Sequence, residues 1–143
     1  MAIFEKNITI QAPVDKVFNY ITNPINRVEW LRRVTDVRNI VGNGKGQKWE
    51  YTYKMPGRTI NGTIEVIEYI PNQRYAHKSS SGFARTWTYE FSTENKSTHL
   101  NILVEMVSFT IPLLGKIIEK QMLRQSRREA EQAVINIKSR LEE

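Results

Sequence analysis

Hydrophobic positions recur at two different periods along this chain, and the switches between them mark out its elements. Phe4, Ile8 and Ile10 alternate with polar residues over 3–10, which predicts a half-buried strand. Gln11-Ala12-Pro13 breaks it. Pro13 suits the first turn of a helix, and Val14, Val17, Phe18 and Ile21 share one helical face, so 13–21 reads as a short helix. Asn23-Pro24 restarts the chain, and Ile25, Val28, Trp30 and Leu31 predict a second short helix ending near the tryptophan. Neither helix is long enough to hold alone, so the two must pack together against an end of a sheet.

From Val34 the period becomes two. Val34 to Val41 reads as a strand, closed by the glycine-rich turn Gly42-Asn43-Gly44-Lys45-Gly46. Trp49, Tyr51 and Tyr53 then alternate with Glu50, Thr52 and Lys54, giving a strand with one wholly aromatic face. Pro56-Gly57 makes the next tight turn, and Thr59 to Ile70 follows with Ile60, Ile64 and Val66 on one side. After Pro71-Asn72 come Arg74 to Ser80, then Arg85 to Ser92, where Trp87, Tyr89 and Phe91 form a second aromatic row. His99 to Phe109, with Leu100, Ile102, Val104 and Met106 on one face, is the last strand. Seven strands with hairpin-length links predict an antiparallel sheet.

After Pro112 the period lengthens again. From Leu113 to Leu141 there is no proline, and small or apolar residues recur at Leu114, Ile118, Met122, Ser126, Ala130, Ala133, Ile137 and Leu141. A helix of about 29 residues runs roughly 43 Å, enough to lie across most of a domain. The 143 residues suit one domain without linker, repeat or low-complexity segment, so 1–143 is expected to fold as a single α+β unit. With no cysteine, disulfides, thiolate metal sites and thiol catalysis are excluded, and two histidines do not support a multi-histidine metal site. The N-terminus lacks the pattern of a signal peptide and no run of 18 apolar residues occurs, so a cytoplasmic location is expected. The net charge of +6 permits an anionic partner without naming one.

The order strand, two short helices, six strands and long terminal helix resembles the helix-grip fold of the START-like (SRPBCC) superfamily. Within it the chain is most similar to the small bacterial polyketide cyclase/dehydrase and lipid-transport-like proteins, relatives of the birch-pollen allergen fold. The residues that carry the likeness are Ala12-Pro13-Val14-Asp15-Lys16-Val17-Phe18 with Asn23-Pro24 and Trp30, then Gly57-Arg58, Val66, Glu68, Pro71 and Arg74. Phe91, Thr98, Leu100 and the basic terminal helix complete it, so the likeness spans essentially the whole chain. It implies a seven-stranded sheet bent around the terminal helix, with a cavity between them for apolar small molecules. No cofactor and no particular reaction are implied, since one fold hosts many activities.

The aromatic rows Trp49/Tyr51/Tyr53 and Trp87/Tyr89/Phe91 are the leading candidates for ligand contact, joined by Trp30, Ile64, Val66, Ile118, Met122 and Ser126. They supply more ring bulk than the small helix side chains oppose; the competing reading is that the rings simply fill the core. Ser126, Ala130 and Ala133 either let the sheet approach closely or leave room for a ligand. His77, with Tyr75 and Ser79 on its own face, is the one candidate for acid–base chemistry, if a carboxylate such as Glu65 or Glu68 orients it. A strand histidine is otherwise a surface or packing residue. His99 follows a polar turn and is expected to be exposed. No nucleophile triad, paired-carboxylate signature, phosphate loop or metal-ligand cluster occurs.

Lys116, Lys120, Arg124 and Arg128 repeat at i, i+4 with Arg127 beside them, a ridge that costs helix stability slightly. It is either a solvated outer face or a docking surface for an acidic membrane or protein. Nothing in it suggests nucleic acid, because no aromatics interleave. The expectation is therefore a binding module for a lipid or polyketide-like molecule, acting as carrier or sensor. The alternatives are a cyclase or dehydratase using His77 or a tyrosine, and an interaction module using the ridge.

Overall fold

The turn chemistry read from the sequence does close hairpins: Pro56-Gly57 joins two strands with Gly57 at φ +72°, a left-handed value that a side chain would strain. The computed structural model of the chain describes residues 2–79, 85–106 and 114–142, with side chains except at 2, 55, 114–119 and 122. In order the elements are β1 (Ala2–Ile10), α1 (Val14–Thr22), a 3-10 turn (Pro24–Asn26), α2 (Arg27–Trp30), β2 (Val34–Val41) and β3 (Lys48–Met55). They continue as β4 (Arg58–Ile70), β5 (Arg74–Ser79), β6 (Arg85–Glu94), β7 (Ser97–Met106) and α3 (Leu114–Leu141). The parts of the predicted strands at Ser80 and 107–109, and the helix start at Leu113, lie outside the described residues.

The strands form one antiparallel sheet in the order β1-β7-β6-β5-β4-β3-β2. Each hairpin neighbour pairs with the next, and β1 closes onto β7, which is the helix-grip arrangement. Residues paired across strands share a face. The register therefore lines up Val66, His77, Trp87 and Val104 in one inner row, and Trp49, Ile64, Ser79 and Arg85 in the next. Alternation holds cleanly in β7, where Leu100, Ile102, Val104 and Met106 are all buried.

The inner face is covered by α3, whose Ser126, Ala130, Ala133, Ile137 and Leu141 are buried. Polar contacts fix its far end. Lys138 Nζ donates to the Thr9 carbonyl at 3.1 Å, and the Gln11 amide donates to Glu142 at 2.8 Å. Asn136 Nδ2 donates to the Trp30 carbonyl at 3.2 Å, which joins α3 to the end of α2.

The second short helix differs from its sequence reading. Trp30 and Leu31 are buried as expected, but Ile25 and Val28 are 61% and 42% exposed, and Arg27 is buried instead. A 3-10 turn precedes a single α turn, so no sustained period sets the face. Trp30 and Leu31 orient it, and Arg27, three and four positions before them, is carried to the same side.

Candidate functional site

Under α3 the inner face of β3–β6 is an aromatic layer that encloses the Arg27 side chain, with Arg85 at its edge. The Arg27 guanidinium lies 5.1 Å from the Trp30 ring and 5.7 Å from the Trp49 ring, so two indole faces hold it. Its Nη1 makes a long contact of 3.4 Å with His77 Nε2, which also lies 3.2 Å from the Tyr89 hydroxyl. Arginine has no acceptor, so this contact favours the tautomer with the lone pair on Nε2 and the proton on Nδ1. His77 stacks on Trp87 at 6.4 Å and meets Tyr75 and Tyr89 at 5.7 and 5.6 Å.

The electrostatics of this layer follow from burial. Desolvation first, then the nearby Arg27 and Arg85 charges, pull the His77 pKa well below its ordinary value, so the ring is neutral at pH 7. Burial pushes the Tyr89 hydroxyl up to about 12 and that of Tyr53 to about 12, the latter helped by the Glu129 carboxylate. Tyr53 therefore stays protonated and donates to Glu129 Oε2 at 3.0 Å. Arg85 sits 3.7 Å from the same carboxylate and donates to Ser126 Oγ at 3.0 Å.

Two cavities open beside this layer. The inner one, about 20 Å³, is bordered by Arg27, His77, Ser79, Arg85, Trp87 and Glu129, with Tyr51, Ile64 and Val34 behind. The outer one is far larger, about 570 Å³, between the middle of α3 and the segment that follows α2. Leu31, Arg32, Arg33, Tyr53 and Pro56 wall one side of it, and Gln121, Arg124, Gln125, Arg128, Glu129 and Gln132 of α3 wall the other. Leu31, Tyr53 and Glu129 belong to both.

The sequence-selected residues are distributed unevenly around these spaces. Tyr51, Tyr53, Ile64 and Trp87 line the inner cavity, and among the described members of the set Tyr53 alone lines the outer one. Trp30 and Trp49 flank Arg27 without lining either. Val66 and Tyr89 are buried in the layer, and Phe91 lies away from it, edge-on to Phe18 of α1 at 5.1 Å. Ser126 serves Arg85 and is wholly buried. The side chains of Ile118 and Met122 lie outside those described.

His77 is buried rather than a surface residue, and neither carboxylate expected to orient it does so. Glu65 pairs with Lys78 at 3.8 Å, and Glu68 is taken by Arg74. Both belong to the opposite face from His77, which is why the imidazole meets an arginine and a tyrosine instead. His99 is partly exposed, 3.9 Å from Glu94.

The basic ridge is not separate from the cavity. Arg124 and Arg128 are exposed and wall the outer cavity, Arg127 turns over the Phe4 ring at 5.1 Å, and the Lys116 side chain is not described. Among the described residues no group of three or more acidic or histidine side chains could hold a metal ion, and no helix is long and apolar enough to cross a membrane. Arg27 is the residue sequence reasoning missed. Its spacing of three before Trp30 and four before Leu31 was the available signal.

Residues 1–142 match the family model described as polyketide cyclase / dehydrase and lipid transport. Among solved structures, a Thermus thermophilus protein superposes with a TM-score of 0.80 at 17% identity, over 98% of this chain and 97% of the other. The Zhui aromatase/cyclase of Streptomyces gives 0.81 at 15% identity, over 99% and 93%. Ara h 8.0201 gives 0.72 at 14% identity, over 96% and 98%. At such identities the likeness establishes the fold alone. No curated protein matches the sequence.

Proposed function

The chain belongs to the polyketide cyclase / dehydrase and lipid transport family, and we propose that it is a non-catalytic carrier or sensor that takes up a hydrophobic small molecule through the outer cavity. The observation that carries this reading is the space itself. A volume of about 570 Å³ between α3 and the segment after α2, with Tyr53 and Pro56 at its side, lies in the range of small-molecule pockets, roughly 300–1,000 Å³. The inner aromatic rows do not leave such room, so the body of the ligand sits farther out, over Leu31 and Tyr53, where rings and aliphatic stems give way to hydrogen-bonding side chains of α3. Native mass spectrometry of protein purified from its own host tests the reading: a co-purifying apolar molecule is expected. Protein that is always empty, and that binds none of a panel of lipids and polycyclic aromatics, would overturn it.

The cyclase reading has one observation in its favour, the Tyr53–Glu129 pair at 3.0 Å on the wall shared by both cavities. Against it stands the chemistry of His77. A general base works best with a pKa near the working pH, and burial holds this one well below its ordinary value. His77→Ala should accordingly alter binding and not a separate chemical step. A variant that binds a candidate polyketide normally yet no longer turns it over would reverse the preference.

A further inference from the structure

A purely apolar binding site has no use for Arg27. Its side chain is only 5% exposed, and no ion pair with a described residue neutralises it. The acid at the edge of the inner cavity, Glu129, is already held by Tyr53 and Arg85. Two indole faces offset only part of the cost of desolvating a guanidinium. Its Nε has no hydrogen-bond partner among the described residues, and neither do His77 Nδ1 and Ser79 Oγ; all three residues border the inner cavity. Arg27 Nε is a donor by nature, His77 Nδ1 is one by its tautomer, and a hydroxyl can serve as one. Buried polar atoms are almost always paired, so three unpartnered groups on residues of one cavity wall point to an acceptor from outside the chain.

We propose that Arg27 receives the carboxylate of an apolar acid whose body occupies the outer cavity. The proposal rests on the binding reading above and names the class of ligand. Leu31, Tyr53 and Glu129 line both cavities, which makes the two neighbours, and in this proposal one molecule reaches past that wall into both. The inner space of about 20 Å³ exceeds the roughly 10–15 Å³ one water needs, so it takes a small polar head and not a ring. A carboxylate also matches the flat fork of guanidinium donors. Outside, Arg32, Arg33, Arg124 and Arg128 line the outer cavity with Glu129 as the one acid among the described residues there, a field that favours an anion over a neutral lipid on entry.

The test compares acids with their uncharged esters in the full chain by isothermal titration calorimetry: decanoate against methyl decanoate, and 2-naphthoate against methyl 2-naphthoate. The two pairs separate an alkyl source of the acid from an aromatic one. In at least one pair the acid is expected to bind roughly ten- to hundredfold more tightly, the value of a charge-assisted hydrogen bond to a buried partner. Arg27→Gln should bring acid and ester together, and Arg27→Lys should keep part of the preference, whereas Lys96→Gln, at an exposed lysine between β6 and β7 that lines neither cavity, should keep all of it. Equal binding of acid and ester by the native chain overturns the proposal alone, and so does a preference that survives in Arg27→Gln. If neither acid nor ester binds, the carrier reading falls and takes the proposal with it. The native comparison decides the matter even if Arg27→Gln does not fold.

Discussion

At the scale of single residues, two buried groups carry strain that measurements of stability can read. His77 has a folded pKa below that of the unfolded chain, about 6.5, so below that pH the unfolded state binds the proton more readily. Its contribution to stability is complete above pH 6.5 and is lost as pH falls toward the folded value. The unfolding free energy should be level from pH 8 to 6.5 and then decline, by at most about 1.4 kcal/mol per pH unit for one proton, with the melting temperature following it down. His77→Gln should flatten the curve between pH 6.5 and 5; parallel curves would show that another group titrates there. Arg27 is strained differently. Its cation–π contacts are worth about 0.5–2 kcal/mol, against a desolvation cost of several kcal/mol. Arg27→Met, apolar and of similar length, should therefore leave thermal stability unchanged or raise it by a few degrees. A fall of more than about 5 °C, well over 1 kcal/mol for a chain this size, would show that the cation is a structural support. That His77 shares a face with Tyr75 and Ser79 is legible in the sequence, because alternation in β5 needs only local counting. What His77 would meet could not be counted, since its partner comes from α2, fifty residues away in sequence.

At the scale of elements, α3 has a seat with no slack at its small residues. Ala130 and Ala133 are wholly buried, and the polar ties from Asn136, Lys138 and Glu142 keep that half of the helix from lifting. Ala133→Leu should thus be an overpacking change, costing about 1–3 kcal/mol. In urea its midpoint should fall while the slope stays constant; a neutral result would mean that the helix can shift outward at little cost. The stripe of small residues admitted two meanings in sequence, close approach or room for a ligand. The structure divides them: Ala130 and Ala133 give close approach, while the larger cavity opens beside polar α3 positions that the apolar period does not mark, such as Gln125 and Gln132. The strands were legible to within one or two residues because both aromatic rows and the β7 row alternate over several residue pairs. The face of α2 was not, because its one turn is too short for a period and tertiary anchoring at Trp30 decides it.

At the scale of the molecule, the charge of +6 acquires a location. The exposed Arg124 and Arg128 and the segment of Arg32 and Arg33 line the outer cavity, so part of the basic ridge borders the space proposed for the ligand. Exposed rim charges act over a Debye length, about 10 Å at 0.1 M salt, and they speed encounter more than they deepen binding. A buried cation does the opposite, since it acts only once the ligand is seated. Stopped-flow mixing with the acid that binds best should separate the two. Arg124→Gln/Arg128→Gln should slow association by up to roughly tenfold at low salt, with the difference fading toward 0.5 M and dissociation nearly unchanged. Arg27→Gln should leave association nearly untouched and raise the dissociation rate by the whole loss of affinity. If both variants change the dissociation rate alone, the ridge belongs to the binding site proper. If the ridge variant leaves ligand kinetics unaltered but weakens the attachment of the protein to acidic vesicles, the ridge faces a membrane, and the carrier would load or unload there.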